Sequence, residues 1–101
     1  MNKEEANSIL YQELEAFRAK SYEELSTLIG SPLNFVRKGP SGTDYQIEMQ
    51  AFWDTPRDAC GNLRVIASID DGRFPSAFMP ISSDFIKSPD GNFVGEWIRS
   101  K

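Results

Sequence analysis

The chain has 101 residues, 40% apolar, 12% aromatic and 26% charged, with 11 basic and 15 acidic side chains, one cysteine and no histidine. That length suits one domain, 1–101, around one core; a lone cysteine excludes an internal disulfide; the missing histidine removes His-based triads, His general bases and His-ligated zinc. The apolar runs are too short for a membrane-spanning helix and the acidic start is unlike a signal peptide, so the expectation is a cytoplasmic protein.

The first 29 residues are read as helical. Over 3–20, Ala6, Ile9, Leu10, Leu14, Ala16 and Phe17 share an arc of about 160°, the stripe of an amphipathic helix. Glu4 and Glu5 suit its positive end, Arg18 and Lys20 its negative end. A short second helix is expected over 22–29, because Ser21-Tyr22-Glu23-Glu24 has capping-box spacing and Gly30 with Pro32 is a stop signal. One unbroken helix would place Tyr22, Leu25, Leu28 and Ile29 about 90° away from the first stripe, so a break near Ser21 fits better.

From Leu33 onward the period is two. Strands are expected at 34–38, 44–54 and 63–70, with Gly39-Pro40-Ser41-Gly42 as the first turn and 55–62 as a loop. Tyr45, Ile47, Met49, Ala51 and Trp53 share one face, as do Leu63, Val65, Ala67 and Ile69. Asp71-Gly72 is a two-residue hairpin signal. It predicts a strand over 73–79 with Ile69 facing Phe74, Ala67 facing Ser76 and Val65 facing Phe78. Pro75, opposite Ser68, has no N–H to give and calls for a bulge or an edge position. Ser82 or Ser83 would cap one helical turn through 84–87; Ser88-Pro89-Asp90-Gly91 is a β-turn; 92–97 is a last strand before a frayed tail, 98–101.

Helices followed by strands with short connections predict an α+β domain. Its N-terminal helix, with the short second one, packs on one face of a four- or five-stranded antiparallel meander. The order of elements resembles that of cystatin-like and nuclear-transport-factor-like sheets wrapped on a helix. That likeness is one of order alone and implies a fold, not an activity.

The charge is segregated. Residues 1–30 hold three basic and six acidic side chains, a net of −3, whereas the remainder is close to neutral. No basic stripe is present for phosphates or anionic lipid, so neither nucleic acid nor membrane is expected as a partner. Calcium-loop, phosphate-loop, dinucleotide, nucleophile-elbow and Cys-x-x-Cys spacings are all missing, so no metal, cofactor or catalytic residue is assigned.

Three features remain. Cys60 shares the loop 54–60 with Asp54, Arg57 and Asp58; a nearby guanidinium would make it a reactive thiolate, although no base is identifiable beside it. Glu13 falls in the middle of the apolar helical arc, a costly place for an unpaired carboxylate. It either pairs with a sheet arginine such as Arg37 or Arg64, or sits at a rim, or lines a ligand pocket walled by Tyr45 and Trp53. Finally, pairing Trp53 with Leu63 sets Phe52 against Arg64 and Gln50 against Ile66. Phe52, Arg64 and Ile66 then form a patch on the outer face, for a partner protein or a homodimer, unless 80–97 covers it. The expected function is a small non-catalytic interaction module that binds another protein or self-associates through its sheet face or its acidic helix; the alternative is a small-molecule-binding protein or simple acid–base enzyme whose pocket reaches Glu13.

Overall fold

The structure is a computed structural model, and it describes residues 2–55, 61–73 and 80–94. Helix α1 (Lys3–Arg18) starts where the Asn2 side chain accepts the Glu5 N–H at 3.1 Å, with Glu4 and Glu5 in its first turn. It buries Ala6, Ile9, Leu10, Leu14 and Phe17. Ala16, at the edge of the expected stripe, is exposed. Helix α2 (Tyr22–Ser26) opens with the complete capping box: Ser21 accepts the Glu24 N–H, and the Glu24 carboxylate accepts the Ser21 N–H. It is shorter than expected. The N–H groups of Thr27, Leu28 and Ile29 bond three residues back, a tightened turn that ends at Gly30, whose φ is +74°.

Four strands follow: β1 (Leu33–Lys38), β2 (Asp44–Trp53), β3 (Leu63–Asp70) and β4 (Ile81–Lys87). They form one antiparallel meander in the order β1-β2-β3-β4. The arrangement is α+β, with the helical layer on one sheet face. Tyr45, Ile47, Met49 and Ala51 of β2 and Leu63, Val65, Ala67 and Ile69 of β3 are all buried beneath the helices. Alternation alone puts them there, since every second residue of a strand points the same way.

The strand beside β3 differs from the one expected. Its register sets Ile69 against Ile81, Ala67 against Ser83 and Val65 against Phe85. The hairpin reading gave those places to Phe74, Ser76 and Phe78, and gave 84–87 to a helical turn; both are corrected. With β2 on one side and β4 on the other, both edges of β3 are taken from Leu63 to Ile69. The physical reason is a better ladder and a better core. Residues 81–87 contain no proline, whereas Pro75 would leave a gap opposite Ser68. They also bring Phe85, 3% exposed, and the stem of Lys87 under α1. Asp71-Gly72 still turns the chain, with Gly72 at φ +77° and its N–H held by Asp70 at 2.6 Å, but into a longer connection. Residues 74–79 lie outside the described residues.

Ser88–Gly91 closes as the expected turn, with the Gly91 N–H on the Ser88 carbonyl at 2.9 Å. Of the last expected strand, the described part bridges Lys87 through Phe93, and Val94 N–H reaches the Ile86 carbonyl at 2.9 Å; 95–101 lie outside the described residues.

Candidate functional site

Glu13 projects from α1 toward the first strand, where its Oε2 accepts the Arg37 Nε–H at 2.6 Å. The glutamate side chain is 13% exposed and the arginine 55%, so the pair lies at the rim of the helix–sheet layer. The Glu13 bond and its charge raise the Arg37 pKa. The guanidinium also stands 5.4 Å from the Phe35 ring centroid. Of the two arginines considered for Glu13, Arg37 is the one it meets.

Tyr45 meets a different carboxylate. Its ring is fully buried, and its hydroxyl donates to Glu5 Oε1 at 2.7 Å. Burial, and then the bond to Glu5, push the phenol up to about 12. Ser41 donates to the same Glu5 through its hydroxyl at 2.7 Å and its N–H at 2.9 Å; these bonds and the tyrosine's lower the Glu5 pKa. This cluster ties the first turn of α1 to the β1–β2 turn. Gly39 makes room for it: a Cβ there would come within 2.9 Å of the Tyr45 ring.

The expected pocket of Glu13, Tyr45 and Trp53 is therefore not assembled. Tyr45 and Trp53 share a face of β2 but stand at opposite ends of it, about 27 Å apart at the usual rise per strand residue. Trp53 packs half-buried on the core beside Leu63. Glu13 instead edges an open groove of about 500 Å³ with Ile9, Gln12, Arg37 and Pro40. Among the described residues no buried side-chain nitrogen or oxygen lacks a hydrogen-bond partner, and no cluster of acidic or cysteine side chains is arranged to hold a metal ion. Cys60, with Arg57 and Asp58, lies outside the described residues.

The outer sheet face carries the other candidate site. The register sets Phe52 against Arg64, Arg64 against Ile86, and Gln50 against Ile66. Arg64 is the centre. Its Nε and Nη2 donate to Asp54 Oδ1 at 3.1 and 2.8 Å, while Nη1 donates to Asp84. Both carboxylates raise its pKa, Asp84 the more. The two ion pairs hold the guanidinium between Asp54 and Asp84, and Phe52 stands beside it 48% exposed. Ile66 and Ile86 are half-buried neighbours. Among the described residues, charge on the strands of this face is mostly negative: Asp44, Glu48, Asp54, Asp70 and Asp84 stand against Lys38 and Arg64.

One buried charge was not visible as such in the sequence. Lys87 is 7% exposed on the inner face of β4, and its ammonium donates to the Arg18 and Lys20 carbonyls at 3.1 and 2.6 Å. It caps the C-terminal end of α1, where carbonyls lack intrahelical partners. The period-two spacing of Ile81, Ser83, Phe85 and Lys87 is the signal that could have found it.

No helix among the described residues is long and apolar enough to cross a membrane. No family model matches the chain, and no curated protein or solved structure is significantly similar to it.

Proposed function

We propose that this protein is a small, non-catalytic, cytoplasmic interaction module that binds a partner protein through the outer face of its sheet. The observation that supports it is Phe52, a large apolar side chain nearly half exposed beside Arg64 near one end of a predominantly acidic outer face. Interfaces place an aromatic anchor inside a polar rim, and the rim's charge selects the partner. Here the rim calls for a partner with an apolar pocket bordered by lysine or arginine. The Arg64 ion pairs with Asp54 and Asp84 add a rigid platform, since a guanidinium fixed by two carboxylates has little rotamer freedom left to lose on binding. The alternative, an acid–base site reaching Glu13, has less behind it. Arg37 occupies that carboxylate, and Glu5 occupies the Tyr45 hydroxyl.

Affinity capture from the native source with wild-type and Phe52→Asp protein tests this. A basic protein retained by the wild type, released by raised salt and lost with Phe52→Asp at unchanged thermal stability is the expected result. Equal capture by both proteins refutes the reading.

A further inference from the structure

β1 is an edge of the sheet: β2 pairs with one side of it, and among the described residues no strand pairs with the other. The ladder decides which backbone groups are left over. Gly39 N–H donates to the Thr43 carbonyl at 2.8 Å, in the same register that pairs Arg37 with Tyr45, Phe35 with Ile47 and Leu33 with Met49. Hydrogen-bonded pairs alternate along an antiparallel ladder, so 33, 35, 37 and 39 bond inward. The N–H and C=O of Asn34, Val36 and Lys38 therefore point away from the sheet.

Edge strands are normally blunted by proline, a bulge or free charge. β1 has none of these within its span. Its two cations are neutralised by its own chain, Arg37 by Glu13 at 2.6 Å and Lys38 by Asp44 at 2.9 Å. Its apolar side chains are open to water, Val36 at 58% and Leu33 at 44%.

We propose that β1 pairs antiparallel with β1 of a second copy, across a two-fold axis through Val36, joining two sheets into one. A two-fold axis normal to the sheet keeps the helical layers on one side, so each residue must meet one of equal parity. Centring on Val36 pairs Asn34 with Lys38 of the second copy, twice, and uses every outward amide, about six backbone bonds in all. Centring on Phe35 instead puts Pro32, which has no N–H, opposite Lys38. The Val36 register also opposes no like charges. Phe35 falls beside Arg37 of the second copy, repeating the cation–ring contact Arg37 already makes within its own chain. α1 packs chiefly on β3 and β4 and meets β1 through the Glu13–Arg37 pair on the inner face, not along the outward amides. An interface of one short strand pair lies below about 1,200 Å², the range of weak and transient association.

Sedimentation equilibrium from micromolar to millimolar protein, with amide hydrogen exchange at both ends of the range, is the test. Mass should rise toward twice the monomer value, and the amides of Asn34, Val36 and Lys38 should gain protection with concentration. Those of Leu33, Phe35 and Arg37 should be protected throughout. Val36→Lys, which sets like charges on the axis, should weaken association about tenfold or more. Val36→Pro, which removes an amide that β2 does not use, should do the same. Phe52→Asp should leave association unchanged, which separates this edge from the outer-face reading. A monomer at every concentration overturns the proposal, as does a dimer indifferent to both Val36 variants. Edge amides protected only on adding a captured partner also overturn it, in favour of strand addition by that partner.

Discussion

Replacing Lys87 by methionine tests how the helical layer is tied to the sheet. The variant keeps an unbranched stem of similar length, so the packing under α1 survives and only the ammonium is lost. In the wild type that ammonium makes two hydrogen bonds, to the carbonyls of Arg18 and Lys20, and stands 5.2 Å from the Phe93 ring centroid. Hydrogen bonds to a charged group contribute roughly 1.5–3 kcal/mol each, and a cation at a helix C-terminus about 0.3–1 kcal/mol more. Against this stands the cost of holding a charge at 7% exposure, which the variant no longer carries. The net expectation is a loss of about 2–4 kcal/mol. For a domain of this size that lowers Tm by about 10–25 °C. Urea unfolding followed by far-ultraviolet circular dichroism gives the first figure, and hydrogen exchange should show the last turn of α1 opening first. A midpoint unchanged at constant m would mean that the two carbonyls find water equally well, and would refute the reasoning.

Alkaline titration of stability should reveal Tyr45. Its folded pKa, about 12, exceeds its ordinary 10.0, so between these values the folded state keeps a proton that the unfolded chain releases. The Tyr45 contribution to stability is complete below pH 10 and is lost as pH rises through about 12; Tyr45→Phe should flatten that fall, and an unaltered profile counts against burial as its source. Glu5 has the opposite sign: its lowered pKa gives stability that is present above the ordinary value of 4.5 and is lost as pH falls through the folded one, a loss Glu5→Gln should remove. A double-mutant cycle between Glu13→Leu and Arg37→Met should return a coupling barely above the error of the unfolding midpoint, because the pair sits at a rim with its arginine half exposed. A coupling well above that would place Glu13 in a drier setting than the structure gives it.

Much of the fold was legible because it rests on local rules. Ser21 and Glu24 cap α2 through bonds three residues apart, which spacing alone announces. The β2–β3 pairing of Trp53 with Leu63, Phe52 with Arg64 and Gln50 with Ile66 follows from matching two apolar rows, since a one-residue slip would turn every side chain to the wrong face. The inner rows could be assigned on the same ground. The candidate site was legible in part: the outer-face neighbours follow from that register, but one of the two ion pairs that fix Arg64 comes from Asp84, in a segment that reads locally as a helical turn.

What local rules could not settle was competition between distant segments. Residues 73–79 and 81–87 both offer a run to the free edge of β3, and Asp71-Gly72 favours the nearer one by proximity. The tertiary structure chooses the farther one, because its ladder is unbroken by proline, Phe85 fills the core opposite Val65, and Lys87 reaches the end of a helix almost seventy positions earlier in the chain. The same holds for Tyr45, whose partner Glu5 lies 40 positions away. Period and capping belong to the sequence, because they depend on neighbours within a few residues. Choice of sheet partner and the pairing of buried polar groups belong to the folded chain, because their energies exist only once remote surfaces have met and excluded water.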